Sequence, residues 1–341
     1  MELGVFPLLL QHSKPEPMDI LITEEFDSPA IDKLAEKYSV VRQPDVWKKP
    51  DALKEAVAVT RTIIVRNQTQ LTGDILRNSL NLIAIGRNGV GLDNIDVEAA
   101  NEKGIVVIAP LEANAVSVAE LTLGFLLSLA RKIPAADRDT HGGGWNRKGF
   151  TGLELDGKTL AICGFGRIGR MVAKRAYAFG LHIVVFDPYV QGTEPTLREC
   201  NASVCSQIDD AVVNADFVTA HMPLTPETRS CFNMPRFSSM KKGAFFINTS
   251  RGGLVDETAL ADALESGHLG GAALDVRQEE PPATRGRLEK LDNVVLTPHI
   301  GAFTTEAQQR TTEAVCDDID RLLSGGEAKN SVNFAKPTRG K

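Results

Sequence analysis

A chain of 341 residues exceeds what a single ordinary hydrophobic core serves, and it calls for two domains. Lys and Arg number 38 against 44 Asp and Glu, a net charge of −6 that argues against nonspecific nucleic-acid binding and requires any anionic substrate to be held by a local cluster of cations. Five cysteines, odd in number and without a C-x-x-C pair, argue against a disulfide framework or a zinc site and for a reducing, cytoplasmic setting.

The first 17 residues carry a short apolar piece, Val5 to Leu10, but neither a basic leader nor a small-residue cleavage site, so they read as a flexible extension rather than a signal peptide. No stretch reaches the length of a membrane span, and the most apolar one, Leu121 to Ala130, is interrupted by Thr122, Gly124 and Ser128. Asp19 to Thr23 reads as a strand, Pro29 to Tyr38 as a helix, Val40-Val41 as the start of a strand, Pro50 to Val57 as a helix and Arg61 to Val65 as a strand. A polar loop, Arg66-Asn67-Gln68-Thr69, follows at that strand's carboxyl end. Asp74 to Ser79 (helix), Leu82 to Ile85 (strand), Asn94 to Lys103 (helix, stopped by Gly104) and Ile105 to Ile108 (strand) continue the alternation. Strand and helix in turn predict a parallel sheet with helices on both faces. Between them, Gly86-Arg87-Asn88-Gly89-Val90-Gly91 is a glycine-rich turn without dinucleotide spacing, better suited to a substrate than to a second nucleotide.

Asn114 can cap a long helix, Ala115 to Lys132, apolar nearly all round and so expected to be buried, with Pro134 beyond its end and a break at Gly142-Gly143-Gly144-Trp145. Arg147 and Lys148 follow. Further strands are predicted at Ala215 to Ala220, Ala244 to Ile247, Gly270 to Val276 and Val294 to Leu296, with helices at Asp256 to Glu265 and Thr304 to Leu323.

The stretch Thr159 to Arg170 organises this second half. Leu160 to Cys163 is a short apolar strand, Gly164, Gly166 and Gly169 stand in the order G-x-G-x-x-G, and Ile168 to Phe179 has helical spacing up to Gly180. Leu181 to Phe186 is a second strand, closed by Asp187-Pro188. The first glycine permits the tight turn, the second lets a pyrophosphate approach the backbone, and the third lets helix pack on strand. The helix N-terminus offers unpaired N–H groups to the phosphates. Asp187 lies about 20 residues on, where an acid accepts hydrogen bonds from a ribose 2′-OH and repels a 2′-phosphate, so NAD is favoured over NADP.

Functional groups of an open α/β sheet lie at the carboxyl ends of its strands. Arg251, Glu280 and His299 all follow such ends. A histidine is the natural base for the proton of a secondary alcohol whose hydride leaves for a cofactor, a carboxylate beside it favours the protonated ring, and an arginine grips a substrate carboxylate by a two-point fork. Bland alternatives stand beside each: His299 capping a loop, Arg251 pairing with Asp256, a solvated Glu280, or Glu279 in its place.

The glycine segment, Ala220 to Leu224, Asn248 to Asp256, Ala273 to Val276 with Glu280-Pro281, and Pro298 to Ala302 together resemble the D-isomer-specific 2-hydroxyacid dehydrogenase family, over nearly the whole stretch from Met18 to Val332. The resemblance implies two Rossmann-like, doubly wound parallel-sheet α/β domains. Residues 18–113 and 305–332 would form a flavodoxin-like substrate-binding domain, residues 114–304 an inserted NAD-binding domain, and residues 1–17 and 333–341 flexible termini. It implies Arg251, Glu280 and His299 as the catalytic trio. Cofactor contacts would fall at Gly164, Gly166, Arg167, Ile168, Gly169, Asp187, His221, Met222, Pro223, Thr228, Thr249, Ser250, Asp275 and Gly301, with Asp275 placed for the nicotinamide carboxamide. A small anionic 2-hydroxy or 2-oxo acid, a homodimer and no membrane complete the expectation.

Gly86 to Asp96 and Trp145 to Phe150 are most similar to the family's 3-phosphoglycerate dehydrogenase branch. By that likeness Arg66, Asn67, Arg87, Asn88, Gly89, Arg147 and Lys148 would hold the substrate together with Arg251. Val90 and Asn67-Gln68 depart from the branch's pattern, and a chain ending at Lys341 leaves no room for its serine-sensing domain. Sulfolactate, glycerate, hydroxypyruvate or lactate dehydrogenases are therefore the alternatives, with an NAD-sensing corepressor a more distant one.

Overall fold

The computed structural model describes residues 18–338; the expectations for residues 1–17 and 339–341 lie outside the described residues. The described residues divide into two compact units, 18–113 with 308–338, and 114–307.

In the first unit the chain runs β1 (Met18–Ile22), α1 (Pro29–Ala35), β2 (Val40–Arg42), α2 (Pro50–Val59), β3 (Thr60–Val65), α3 (Gly73–Asn78), β4 (Ala84–Arg87), α4 (Val97–Glu102) and β5 (Val106–Ile108). The second unit holds α5 (Ala115–Arg131), α6 (Ile133–His141), β6 (Thr159–Cys163), α7 (Arg167–Ala178), β7 (His182–Phe186), α8 (Pro195–Glu199), β8 (Ser203–Cys205), α9 (Ile208–Val212), β9 (Phe217–Ala220), α10 (Met234–Ser239), β10 (Phe245–Asn248), α11 (Glu257–Glu265), β11 (Gly271–Leu274) and β12 (Val294–Leu296). The last helix, α12 (Thr305–Leu323), returns to the first unit for most of its length.

The first sheet has the order β2-β1-β3-β4-β5, and every pairing is parallel. Successive side chains serve opposite faces. Leu21, Ile63 and Val65 join Leu53, Val57, Ile75 and Leu76 of α2 and α3 on one face. Ile20, Ile22 and Ile64 join Ile31 and Leu34 of α1 and Val315, Ile319 and Leu322 of α12 on the other. A sheet buried on both faces explains the nearly unbroken apolar runs of its strands.

The second sheet is also all-parallel, in the order β12-β11-β10-β9-β6-β7-β8. The chain starts in the middle at β6, builds outward through β7 and β8, then crosses to β9. The strand order therefore reverses between β6 and β9, and the crevice at their carboxyl ends is where such sheets take ligands. Leu160, Ile162, Phe217 and Ile247 face α5 and α7. Ala161, Cys163, Val218 and Phe246 face α10 and α11.

Three features differ from the sequence-based expectations. First, Pro134 lies beyond the long helix as expected, but Lys132 takes a left-handed turn (φ 53°) and a second helix, α6, which was not expected, follows at once with Pro134 in its first turn; proline fits there because its missing N–H would be unpaired. Second, Gly86 and Arg87 belong to β4, not to the glycine-rich turn. Third, residues 333–338, expected to be flexible, are fastened to the open edge of β5. The Asn333 side chain accepts from Val107 N–H (2.8 Å) and donates to Ile105 O (2.9 Å), Val332 N–H donates to Val107 O, and Thr338 N–H donates to Gly104 O. An edge strand has unpaired backbone groups, and this segment satisfies them. α8, β8, α9 and α10 were not anticipated, being too short for a periodicity to show.

Helix α7 meets β6 at Gly169, where an added Cβ would stand 2.2 Å from the carbonyl oxygen of Gly164. Gly169→Ala is expected to destabilise the second unit by about 1–3 kcal/mol through overpacking. Thermal unfolding measures it, and an unchanged midpoint would mean that the helix can slide on the strand.

Candidate active site

The glycine turn leaves β6 with Gly164 at φ +100°, a conformation glycine adopts freely. A Cβ there would also lie 2.6 Å from the carbonyl of His221. Gly166 caps α7, is exposed, and has no heavy atom within 4 Å of where a Cβ would stand, so the backbone is open to an incoming group. Gly169 makes the close helix–strand contact described above. The half-buried Arg167 and Ile168 open the helix, whose first N–H groups have no intrahelical acceptors. At the tip of β7, Asp187 accepts from Phe165 N–H (2.7 Å) and Tyr189 N–H (2.8 Å), one on each oxygen. Each oxygen keeps a further lone pair, so the carboxylate can tie down the turn and still accept from a ribose. The residues present thus fit a dinucleotide.

Beside that turn, at the carboxyl end of β9, the His221 ring is hydrogen-bonded through Nε2 to Thr219 Oγ1 (3.1 Å), and burial pushes its pKa down to about 3, so it is neutral. Its Nδ1 is buried and has no partner among the described residues. Met222 is buried and Pro223 exposed, and Thr228 Oγ1 closes the loop by donating to Pro223 O (2.7 Å).

The catalytic candidates lie at neighbouring strand ends of the same unit. After β10, the fully buried Asn248 accepts from Ser250 N–H and Ser250 Oγ and donates to Arg251 O, so one carboxamide shapes the turn that presents Arg251. Thr249 is hydrogen-bonded to Thr122 of α5 (3.0 Å). After β11 and β12, His299 Nδ1 donates to Glu280 Oε2 at 2.6 Å. Glu280, not Glu279, therefore faces the ring, and the bond leaves Nε2 as the nitrogen to exchange a proton.

His299 has a positive φ of +55°, uncommon for a residue with a Cβ. Asp275, 1% exposed at the end of β11, holds it there. Its carboxylate accepts from Thr297 Oγ1 (2.5 Å), Ile300 N–H (2.8 Å) and Gly301 N–H (2.8 Å), and its carbonyl accepts from His299 N–H (2.8 Å). Gly301 leaves room for this approach, since a Cβ there would stand 3.0 Å from Asp275 Oδ2 and push against the carboxylate. Three donors leave Oδ2 one free lone pair for a carboxamide.

The electrostatics suit a proton relay. The Glu280 hydrogen bond raises the pKa of His299 against the effect of burial, aided by the charges of Glu280 and Asp275 and opposed by Arg251. Burial would raise Glu280, but the bonds from His299 and the Arg277 N–H, with the charges of His299 and Arg251, hold it below the ordinary carboxylate range. The side chains are 49% and 37% exposed, so solvent screens the pair and leaves it a small contribution to stability beside its orienting role.

In the first unit, Arg66 follows β3. Its backbone N–H, with those of Gln68 and Thr69 and the Thr69 hydroxyl, is held by the buried carboxylate of Glu24, while its guanidinium donates to Gln308. Asn67 is exposed at the loop's crest. Arg87 is buried and donates to the carbonyls of Asn88 and Gly91 in its own turn. Asn88 accepts from Thr312 (3.1 Å), and Gly89 sits in the turn at φ +158°. Arg147 and Lys148 lie on an exposed turn after α6 in the other unit, outside the hydrogen-bonded network that joins Glu280, His299 and Asp275. Sequence reasoning missed Glu24, Asn94 and Asn248. The available signal was an acid or amide at or just after a strand end, where loop N–H groups need acceptors; Asn94, which bonds the carbonyls of Arg66 and Thr69, follows no strand and had no such signal. Among the described residues no group of His, Cys, Asp or Glu could hold a metal, and no helix is long and apolar enough to cross a membrane.

A glycine turn open to a pyrophosphate, an acid at the next strand tip, and a histidine–carboxylate pair beside an arginine are what a dinucleotide-binding fold with an acid–base pair would require. Residues 123–301 match the NAD-binding domain of the D-isomer-specific 2-hydroxyacid dehydrogenases, and the chain belongs to that family. It is 44% identical over 315 residues to the D-3-phosphoglycerate dehydrogenase of Methanocaldococcus jannaschii, matching 92% of this chain and 59% of that protein. It is 40% identical to D-3-phosphoglycerate dehydrogenase 2, chloroplastic, of Arabidopsis thaliana, matching 94% of this chain and 50% of that one, so the chain spans little more than half the length of these relatives. Among solved structures, the TT0316 protein of Thermus thermophilus superposes with a TM-score of 0.86 at 34% identity, over 92% of this chain and 100% of that one. The D-lactate dehydrogenase of Aquifex aeolicus, complexed with NAD and lactic acid, superposes with a TM-score of 0.83 at 28% identity, over 92% and 99%.

The pKa directions set a pH window. A raised His299 adds stability below its unfolded value of about 6.5, lost as pH rises through the folded value; a lowered Glu280 adds stability above about 4.3, lost as pH falls through its folded value. The stability difference between wild type and His299→Asn should therefore be greatest at about pH 4.5–6.5 and shrink at alkaline pH. Denaturant midpoints at about pH 5.5 and about pH 9 compare the two; an equally large difference under the alkaline condition would sink the coupling.

Proposed function

We propose that the chain is an NAD-dependent oxidoreductase that interconverts a small D-2-hydroxy acid and its 2-oxo acid, with 3-phosphoglycerate as the best single substrate. The contact between His299 Nδ1 and Glu280 Oε2, with the charge of Arg251 beside it, carries the reading. Arg251 grips the substrate carboxylate, as a guanidinium fork does. His299 Nε2 takes the hydroxyl proton in oxidation and returns it to the carbonyl oxygen in reduction, while Glu280 stabilises the protonated ring. Bound NAD supplies the hydride acceptor; Gly164, Gly166, Arg167, Ile168, Gly169 and Asp187 hold its phosphates and ribose. His221, Met222, Pro223, Thr228, Thr249, Ser250, Asp275 and Gly301 line the rest of the cofactor.

The second anionic group of the substrate is assigned to Arg66, Arg87, Arg147 and Lys148, with Asn67, Asn88 and Gly89 as further substrate-binding residues. The similarity to two D-3-phosphoglycerate dehydrogenases supports this, and sulfolactate, glycerate, hydroxypyruvate and lactate are the competing substrates. A cytoplasmic homodimer completes the reading. It is supported by five unpaired cysteines and by the exposed Ile133, Trp145 and Leu153 on and after α6.

A panel of 2-hydroxy and 2-oxo acids followed by NADH absorbance tests the class and ranks the substrates. On the preferred substrate, His299→Ala should keep NAD affinity and lose turnover by a factor on the order of 10² or more. Near-normal turnover would remove His299 from the reaction. Asp187→Ala should narrow the preference for NAD over NADP, and a wild type that already uses both equally would defeat the ribose argument.

A further inference from the structure

Between Asp275 and Glu280 the chain makes a turn that begins at Arg277, whose side chain is held inside the protein. The guanidinium is 13% exposed and lies between two carboxylates that are themselves mostly covered, Glu257 at 19% and Glu289 at 20%. It donates from Nε and Nη2 to the two oxygens of Glu257 (3.0 and 2.8 Å) and from Nη1 to Glu289. Glu257 also accepts from Gln278 N–H (2.8 Å), and Gln278 Nε2 reaches Val255 O (2.8 Å). Glu289 accepts in addition from Gly286 N–H (2.9 Å). One cation thus ties the turn to the first residue of α11 on one side and to the segment before β12 on the other.

The backbone of the same residue touches both halves of the candidate site. Its N–H donates to Glu280 Oε1 at 2.9 Å, while the other oxygen of that carboxylate takes the His299 ring. Its carbonyl lies against Gly252, directly after Arg251: a Cβ on Gly252 would stand 1.8 Å from Arg277 O.

We infer that Arg277 is a positioning residue, and that its clamp between Glu257 and Glu289 holds the turn where Glu280 meets His299 and the Arg251 segment keeps its seat. The inference rests on Glu280 and His299 as the acid–base pair. A neutral or shorter side chain at 277 frees the turn without altering any group that faces the imidazole, which are Glu280, Asp275 and Arg251. A released Glu280 no longer stays within hydrogen-bond distance of Nδ1, and the ring loses what favours its protonated form.

The test reads the ring directly. The imidazole resonance of His299, assigned by its loss in His299→Asn, is titrated by NMR in wild type, Arg277→Met, Arg277→Lys, Glu289→Gln and the control Arg287→Met. Arg287, two residues before Glu289, makes comparable salt bridges at the surface, to Asp262 and Glu265 of α11, so its loss disturbs the neighbouring segment without removing the Arg277 clamp. Arg277→Met should lower the His299 pKa by about 0.5 unit or more and reduce kcat by about tenfold or more, with NADH binding by fluorescence unchanged. Arg277→Lys and Glu289→Gln should fall between it and wild type, and Arg287→Met should leave the titration where it was. An Arg277→Met protein that is less stable but titrates like wild type would overturn the inference, as would failure of all three clamp variants to fold, since the clamp would then serve folding alone. Full turnover in His299→Asn would instead remove the proposed reaction and leave the titration readable.

Discussion

One buried carboxylate, that of Asp275, sets the geometry on which the site depends. It stands at the end of β11 and gathers three donors from the loop after β12. The loop between Thr297 and Gly301 has no regular secondary structure to satisfy its N–H groups, and it must carry His299 through a left-handed backbone conformation. An unpaired buried N–H costs about as much as a lost hydrogen bond, and a charged acceptor makes the stronger kind of bond. The loop is therefore most stable where all three donors converge on Asp275, and that arrangement places the imidazole beside Glu280. Strain at one residue is offset by bonds at its neighbours.

The same device recurs at other strand ends. Glu24 after β1 gathers the loop after β3. Asn248 closes the turn after β10, and Asp187 after β7 ties down the glycine turn. Asp318, fully buried on α12, accepts from Lys329 N–H, Asn330 N–H and the Asn330 side chain. Each is an oxygen acceptor serving the N–H groups of an irregular segment. The apolar cores hold the sheets, and these acceptors hold the irregular segments between and beyond them.

This division of labour explains what could be read in the chain beforehand. The long apolar strands, the glycine turn and α5 announce themselves locally, through runs, spacing and caps, so the two parallel sheets and the dinucleotide turn were legible. Arg251, Glu280 and His299 were legible as residue types following strand ends, but the choice between Glu279 and Glu280 was not. It depends on which carboxylate meets the His299 ring, a contact between residues 19 apart in the chain that forms only once β11 and β12 are side by side. Helix α6 was missed for a related reason, because a proline that follows one helix and a proline that opens the next look alike until the Lys132 backbone is known. Residues 333–338 misled because polar composition suggests fraying, whereas the open edge of β5 offers them partners.

Arg66 and Asn67 project from a loop whose backbone is fixed by Glu24 and by Asn94, residues far from it in the chain. A substitution at the exposed Asn67 changes what the loop presents without removing an anchor. A substitution at Glu24 removes acceptors for four donors at once. What the first unit's loop presents can therefore change at its crest while Asp275, Glu280 and His299 in the second unit keep their own bonds. That separation suits a family in which a common hydride and proton transfer serves acids of different size and charge.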